Sequence, residues 1–278
     1  MAYYGIDVSY HQGDINWPRA AAGCIRFAFV RAGYSNGDGT VVTDTRFARN
    51  TSGASGAGLD TGLYLYTYAR TPEASRDSAN WLVEAASPYL LTMPLVLDIE
   101  NTNIYPALGT PLTTDIALAF LQTVQEAGYY PMLYTNTYFA NTYLDMERLS
   151  AFDLWIADYT EWISYQGPFG IWQYTDRGVI DGVPTRVDLD IAYKDYPSII
   201  RAGGWNHLPP VPGGEIEVGS RVCIRASARC YVRPRCPIPQ FDKLCVFTVQ
   251  ALSGSYALLG NGSWIALADL CLAGEGGR

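Results

Sequence analysis

The sequence has few charged side chains and lacks a long apolar run. No segment offers the roughly 18 uninterrupted apolar residues of a membrane span, so no stable membrane insertion is expected. Charged residues make up 17% of the 278 and hydrophobic residues 49%, a balance that buries a large core and excludes a disordered chain. The length suits one large domain with a smaller one.

The N-terminal residues 1–7 lack the basic region and apolar stretch of a secretory signal peptide. Two explanations stay open: release by a route other than the usual secretory one, or a leader that lies outside this sequence.

Histidine is scarce, with only His11 and His207, and no G-x-S-x-G occurs, which argues against serine-nucleophile chemistry. We expect His11 to be structural, with a place at the border of a site as the alternative. The glycine-rich stretch Ser52–Gly58 lacks the lysine and spacing of a phosphate-binding loop. No cofactor is expected.

Cysteine is sparse in the first 220 residues, where Cys24 stands alone. The other five lie in the tail: Cys223, Cys230, Cys236, Cys245 and Cys271. No pair has C-x2-C spacing, and an odd number does not close a disulfide set, so no metal site is expected. We expect mostly reduced, small core residues, with Cys24 facing the core.

The acidic excess is uneven along the chain. Residues 1–214 hold 12 basic and 22 acidic side chains, whereas residues 215–278 hold seven basic and five acidic. The acidic part would repel a nucleic-acid backbone, so nucleic acid is not an expected partner. The slightly basic tail suits an anionic wall polymer, although so small an excess also fits an ordinary solvated surface.

Short apolar segments separated by helical stretches predict an α/β fold. The clearest strand is Pro94–Glu100, whose Leu/Val run indicates burial on both faces. Helices are predicted over Pro72–Ala86 and Thr113–Ala127, after threonine caps. An irregular (β/α) barrel over residues 1–200 follows. The other predicted strands are Tyr3–Ser9, Arg26–Ala32, Thr61–Tyr68, Tyr130–Asn136, Phe152–Tyr159, Gly170–Tyr174 and Val187–Tyr193.

A glycine- and proline-rich stretch, residues 201–214, is expected to be a linker. Short β-type runs follow at Arg221–Ile224, Lys243–Val249, Tyr256–Leu259 and Trp264–Leu267. They predict a small all-β domain over residues 215–278.

Two acids follow the clearest strand. Because strand side chains alternate, Asp98 and Glu100 share a face, about 6–7 Å apart along the backbone. They lie at the carboxyl end of the strand, where barrel enzymes have their active sites. Crowding raises at least one pKa, so that one group can donate a proton near neutral pH. A salt-bridged pair and a metal ligand set stay as alternatives.

Further acids end or begin neighbouring predicted strands, namely Asp7, Asp158, Asp188 and Asp190. Together they predict a negatively lined cavity. Such a cavity suits the oxocarbenium-like transition state of glycoside hydrolysis, or a hard cation such as Mg²⁺.

A series of segments resembles the glycoside hydrolase family 25 muramidases, the Chalaropsis-type lysozymes. The matching pieces run in order: Gly5–Gly13 with Ile15–Trp17, Phe27–Ala32, Asp44–Asn50, Gly62–Tyr66, Leu95–Glu100, Gly128–Tyr134, Leu154–Tyr159, Ile171–Tyr174 and Val187–Leu189. The resemblance implies hydrolysis of the β-1,4 bond from N-acetylmuramic acid to N-acetylglucosamine in peptidoglycan.

The resemblance also implies site roles. Glu100 would be the general acid, and Asp98, Asp7 and Asp188 the other acidic members. The sugar contacts it implies are Tyr64, Tyr66, Tyr134 and Trp172. One departure is Asp190, where the family usually has asparagine, which adds a carboxyl group near the site.

The tail resembles bacterial SH3-like cell-wall-binding modules. The pieces are Glu217–Val222, Tyr231 leading to Ile238-Pro239, Phe247–Gln250, and Ser263–Ile265 before Ala268–Leu270. Tyr231 and Trp264 are then candidate wall contacts, with a role as core aromatics equally open.

The expected protein is a monomeric wall hydrolase, a phage or bacterial lysin acting at the bacterial cell wall. A catalytically inactive wall-binding protein is the alternative, and an enzyme for chitin-like glycans is another. Retaining, inverting and substrate-assisted mechanisms stay open. We favour the last, in which Asp98 holds the N-acetyl group of the substrate.

Overall fold

The computed structural model describes residues 2–208, 216–224, 228–239, 242 and 245–272. The chain divides into two compact units, Ala2–Leu208 and Pro209–Arg278.

The first unit is built on a barrel. Its strands are β1 (Tyr3–Val8), β2 (Ile25–Ser35), β3 (Val41–Thr43), β4 (Asp60–Thr67), β5 (Leu95–Asp98), β6 (Pro131–Asn136), β7 (Asp153–Ala157), β8 (Ile171–Gly178) and β9 (Val187–Ala192). Eight of them close a ring in the order β1-β9-β8-β7-β6-β5-β4-β2, in which β2 pairs with β1, and β3 extends the sheet from β2. The predicted irregular barrel is confirmed, and all eight predicted strands occur in it.

One strand makes the barrel irregular. β9 runs antiparallel to both of its neighbours, β8 and β1, whereas the other ring pairings are parallel. The connection of residues 158–170 between β7 and β8 has no helix. β9 therefore presents its first residues, not its last, at the end of the barrel where the parallel strands finish.

Helices cover the outside of the barrel: α1 (Trp17–Ala21), α2 (Phe47–Gly56), α3 (Pro72–Ala86), α4 (Tyr105–Glu126), α5 (Thr137–Tyr143) and α6 (Tyr196–Ala202). α3 has its predicted bounds, and the Thr71 side chain caps it by accepting from the Ala74 N–H. α4 starts earlier than predicted and is interrupted at Gly109, whose φ is 77°. None of the helices in the described ranges is long and apolar enough to cross a bilayer.

Aromatic rings fill the interior of the barrel. The Phe29 and Trp155 rings stack at 4.6 Å between centroids, and Phe27 lies 5.8 Å from Phe29. A Cβ added to Gly5 or Gly62 would lie 2.3 Å from Phe27 or 2.5 Å from Phe29. Glycine at these two inward positions therefore makes room for the rings, and the packed rings form a floor beneath the open end of the barrel.

A bulge interrupts β2. Arg31 pairs with Tyr64 of β4, and the next partners are Gly33 with Leu65 and Tyr34 with Tyr66. The register thus shifts by one residue between Arg31 and Gly33. Because of this shift Arg31 and Tyr34 lie opposite residues of the same face of β4.

Part of the segment expected to be a linker packs on the barrel. The side-chain amide of Asn206 donates to the backbone oxygens of Leu91 and Met93, and its oxygen accepts from the Tyr130 N–H. Residues 201–208 therefore belong to the first unit. The rest of the expected linker, 209–214, lies outside the described residues.

The second unit is an antiparallel five-stranded sheet in the order β13-β12-β11-β10-β14. Its strands are β10 (Arg221–Ile224), β11 (Val246–Ser253), β12 (Tyr256–Leu259), β13 (Trp264–Ala266) and β14 (Leu270–Leu272). The predicted small all-β domain is confirmed as a fold class, and its core includes Val222, Val249 and Ile265.

The cysteine expectation was wrong for two residues. Cys24 and Cys230 are exposed rather than packed in a core. Cys24 ends a turn just before β2, and its position after α1 leaves it at the surface.

Candidate active site

A cavity of about 280 Å³ opens at the carboxyl ends of the parallel strands. It brings together side chains from β1, β2, β4, β5, β6, β7, β8 and β9. The lining residues are Asp7, Ser9, His11, Gln12, Arg31, Tyr64, Tyr66, Asp98, Glu100, Tyr134, Trp155, Tyr159, Gln173 and Asp188.

Asp98 and Glu100 line the cavity together, as strand alternation predicts. Asp98 ends β5 and is 5% exposed, and its Oδ1 has no hydrogen-bond partner among the described residues. Glu100 follows the strand and accepts a hydrogen bond of 3.2 Å from the Asn136 amide. The Ile99 N–H donates to the backbone oxygen of Tyr134, which extends the pairing with β6 and fixes the backbone between the two acids.

Both acids hold protons more tightly than usual. Burial raises the pKa of Asp98 well above its ordinary value, and the neighbouring Glu100 raises it further, while Arg31 opposes the shift. Burial also raises the pKa of Glu100, against a smaller lowering by the Asn136 hydrogen bond. A carboxyl group of this kind is able to remain protonated closer to neutral pH and to act as a proton donor.

Asp7 and Asp188 face each other across the antiparallel pairing of β1 with β9. Burial, followed by repulsion from Asp188 and Asp190, raises the pKa of Asp7 well above its ordinary value. Burial and the nearby Asp176 raise the pKa of Asp188 to about 6. Like charges directly opposite on two strands are unfavourable, so the pair shares its site at a cost in stability.

Gln173 on β8 holds one oxygen of Asp7. The Tyr134 and Tyr159 hydroxyls both donate to Gln173 Oε1, at 2.9 and 2.6 Å. With its oxygen so occupied, the amide directs Nε2 towards Asp7 Oδ2, to which it donates at 2.6 Å. The two tyrosines therefore fix the orientation of the amide.

Arg31 is the guanidinium that lines the cavity. Its Nε and a terminal nitrogen each lie 3.0 Å from Asp44 Oδ2. Its guanidinium carbon lies 5.0 Å from the centre of the Tyr10 ring. The Asp44 side chain is fully buried, so Arg31 neutralises that carboxylate as well as facing the acids of the cavity.

The predicted sugar contacts divide into two groups. Tyr64, Tyr66 and Tyr134 line the cavity. Trp172 does not; its indole N–H donates to the Asp158 backbone oxygen at 2.8 Å. Alternation along β8 explains this difference, because the neighbouring Gln173 points into the cavity instead.

Sequence reasoning missed six residues that line the cavity: Ser9, Gln12, Arg31, Trp155, Tyr159 and Gln173. Of the two roles left open for His11, the structure favours the one at the border of the site: His11 is exposed and lines the cavity, and its ring lies 3.9 Å from that of Tyr10.

Two further acids do not line the cavity. Burial acts to raise the pKa of Asp158, but hydrogen bonds from Ser164, Thr160 and Thr137 hold it below its ordinary value. Asp158 thereby organises the connection after β7. Asp190 lies fully buried and accepts from the Trp155 indole N–H at 2.9 Å, which places it among the interior rings.

In the second unit, Tyr231 is 3% exposed and its hydroxyl donates to Asp242 at 2.6 Å. It is therefore a core aromatic residue. Trp264 is half-buried, and its backbone bridges to Arg233. Over the described part of the chain, no three His, Cys, Asp or Glu side chains are arranged to hold a metal ion.

Comparison with known proteins finds relatives of the first unit and solved structures with its fold. Lysozyme M1 of Streptomyces globisporus is 29% identical over 208 residues, which cover 66% of this chain and 65% of that protein. The autolytic lysozyme of Clostridium acetobutylicum is 25% identical over 217 residues, 77% of this chain and 62% of that protein.

A solved structure of the modular autolysin LytC from Streptococcus pneumoniae, in complex with a synthetic peptidoglycan ligand, aligns with a TM-score of 0.62 and 28% identity. The alignment covers 69% of this chain and 47% of LytC, so this chain matches about half the length of that protein. The SH3-like resemblance of the tail stays a prediction. The model for glycosyl hydrolases family 25 matches residues 6–183, well over half of the sequence, and this chain therefore belongs to glycosyl hydrolase family 25.

Proposed function

We propose that this protein is a peptidoglycan hydrolase that cleaves the β-1,4 bond from N-acetylmuramic acid to N-acetylglucosamine. The observation that carries the proposal is the convergence of Asp98 and Glu100 with Asp7 and Asp188 on one cavity. Related proteins are named lysozymes, and one structural neighbour was solved with a peptidoglycan ligand.

In the proposed reaction Glu100 is the general acid. It donates its proton to the glycosidic oxygen as the bond from that oxygen to the muramic acid C1 breaks. Burial raises its pKa, which supports this role. The neighbouring Asn136 amide donates to Oε2 and so orients the carboxyl group.

The other acids would stabilise the positive charge that develops on the sugar ring. Asp7, Asp98 and Asp188 surround the cavity, and Arg31 is already paired with Asp44. Excess negative charge in a partly enclosed site favours an oxocarbenium-like transition state.

Asp98 supports a substrate-assisted route. Its buried Oδ1 has no partner among the described residues and is able to accept the N–H of the substrate's N-acetyl group. The acetyl oxygen would then attack C1 while the glycosidic oxygen leaves with the proton from Glu100. Water would later open the cyclic intermediate and return a proton to Glu100.

The second unit, in this proposal, is a cell-wall-binding domain joined to the barrel by the segment after Leu208. Holding the barrel at an insoluble polymer would raise its local concentration there. We place the site of action at the bacterial wall and expect a monomer.

A digestion experiment tests the bond that is cut. Purified cell wall is digested, the new ends are reduced with borohydride, and the reduced sugar is identified. Reduced muramic acid supports the proposal, and reduced glucosamine would make the protein a glucosaminidase. No new ends would leave the alternative, an inactive wall-binding protein.

A substitution tests the acid. Glu100→Gln should lower the rate by about 10²–10⁴-fold, the range for a general acid, while wall binding survives. The matched control is Glu126→Gln, on the exposed side of α4, which should keep the parent rate. A Glu100→Gln enzyme within about tenfold of the parent would show that another group donates the proton.

A further inference from the structure

We propose that three tyrosines, Tyr66, Tyr68 and Tyr34, form a strip that binds sugar units of the glycan strand outside the reaction centre. This tyrosine strip runs from the cavity over the ends of β4 and β2. The inference rests on the proposed function, because it assigns the strip to the same polymer.

Strand alternation puts two of these rings on the cavity side. Along β4, Tyr64 and Tyr66 line the cavity, while Leu63 and Leu65 between them are fully buried on the other face. Tyr68 continues the alternation just beyond the end of β4, and its N–H donates to the backbone oxygen of Ser35. The pairing between β4 and β2 therefore extends beyond the cavity, and the alternating tyrosines of β4 extend with it to Tyr68.

The bulge in β2 adds the third ring. Without it, Arg31 and Tyr34 would point to opposite faces, since they are three residues apart. The register shift between Arg31 and Gly33 places Tyr34 opposite Tyr66 instead. Bulges beside active sites commonly redirect a side chain in this way.

The rings are contiguous. The Tyr66 and Tyr68 centroids are 4.9 Å apart, and those of Tyr68 and Tyr34 are 6.0 Å apart. Tyr34 is 38% exposed and Tyr68 is half-buried, so both remain accessible. The strip thus leads without a gap from the wall of the cavity to the protein surface.

The chemistry of the strip differs from that of the cavity. The cavity concentrates four carboxyl groups, whereas the strip presents aromatic faces with polar hydroxyl edges. The hydroxyls of Tyr34 and Tyr68 have no hydrogen-bond partner among the described residues, while that of Tyr66 accepts from the Asn101 amide at 3.3 Å. Such surfaces suit the apolar faces and the hydroxyl or acetamido groups of sugar rings better than a charged peptide.

The row is also long enough for more than one sugar. Tyr64 and Tyr68 are four residues apart on an extended backbone, a span of about 13 Å. Since Tyr64 lies within the cavity, a strand bound at the reaction centre would meet Tyr68 and Tyr34 only through sugars further along. Their contribution should therefore depend on chain length.

The test measures binding of peptide-free oligosaccharides of alternating N-acetylglucosamine and N-acetylmuramic acid, two, four and six sugars long. The full chain carrying Glu100→Gln is used so that the ligand is not cleaved. Tyr34→Ala and Tyr68→Ala, each added to it, should weaken binding of the hexasaccharide by about three- to tenfold and leave the disaccharide unchanged.

Control variants distinguish the contribution of a flat aromatic ring from that of side-chain size. Tyr34→Phe should retain most of the hexasaccharide affinity, and Tyr34→Leu should not. Tyr138→Ala removes a 60% exposed ring of α5 outside the strip and should change nothing.

The outcomes are distinct. Equal losses at every length, or no loss at six sugars, would overturn the inference while the proposed function stands. A loss seen only with strands that carry stem peptides would overturn it in favour of peptide binding. If the background protein binds no oligosaccharide of any length and the parent cuts no wall, it is the proposed function that fails.

Discussion

Replacing Gln173 should change the protonation of Asp7 without altering the fold. Gln173→Leu removes the amide that donates to Asp7 Oδ2 at 2.6 Å. A hydrogen bond to a charged group contributes about 1.5–3 kcal/mol, which corresponds to about a 10- to 150-fold change in the ratio of ionised to protonated Asp7.

The direction follows from the charges around Asp7. Burial, then Asp188 and Asp190, raise its pKa, and the Gln173 hydrogen bond opposes them. Loss of that bond leaves only the raising influences, so Asp7 should take up its proton at higher pH. If the ionised form stabilises the transition state, the acidic limb of the pH–rate profile moves to higher pH.

The assay has two readouts. NMR of protein isotope-labelled at the side-chain carboxyl of aspartate reports the titration of Asp7. The pH–rate profile of wall digestion reports the effect of that titration on activity. Tyr159→Phe removes one of the two hydroxyls that hold the amide, and should shift both readouts in the same direction by less. Gln166→Leu, an exposed glutamine in the same connection, is the matched control and should shift neither.

The reasoning would be refuted by one clear result. In that result, the Gln173→Leu variant folds normally, as judged by near-ultraviolet circular dichroism, and its Asp7 has the same pKa as in the parent. That outcome would mean that the buried amide does not favour the ionised form.

Two further predictions concern stability, measured by urea unfolding. The pKa of Asp188 is raised from 3.8 to about 6, so protonated Asp188 stabilises the fold fully below pH about 4, and this stabilisation is lost as the pH rises through 6. Across that range the free energy of unfolding of the parent should fall by about 1–2 kcal/mol more than that of Asp188→Asn, after allowance for partial exposure. Parallel plots of unfolding free energy against pH for the two proteins would contradict this. Arg31→Leu leaves Asp44 buried without its counter-ion and should lower the free energy of unfolding by about 3–5 kcal/mol. Arg19→Leu breaks an exposed pair with Asp181 and should lower it by at most about 1 kcal/mol. Equal losses in the two variants would refute the buried-pair argument.

The barrel could be predicted because its strands are short apolar runs between turn residues. The segment around β5 illustrates this, since Leu95, Val96 and Leu97 are all fully buried. Strand direction is not contained in that pattern, however, because the two-residue period is the same for parallel and antiparallel pairing. The reversal of β9, and with it the entry of Asp188 from the start of its strand, could not be foreseen.

The site was predictable where alternation applies and not elsewhere. Asp98 and Glu100 share a face because they are two residues apart on one strand. The same rule, applied to β8 from the buried Ile171, would have pointed to Gln173 rather than Trp172. The bulge that turns Tyr34 to the cavity side has no comparable signal, because it depends on how β2 pairs with β4.

The acids of the cavity are hard to account for by stability. Asp7 has one amide donor, Glu100 has another, and a buried oxygen of Asp98 has none among the described residues. The guanidinium of Arg31 is shared with the buried Asp44. Burying carboxyl groups with so few partners costs free energy, and apolar side chains of similar size would pack there without that cost. The arrangement therefore supports the proposed reaction, in which positive charge would develop inside the cavity and the under-compensated acids would stabilise the transition state more than the resting enzyme.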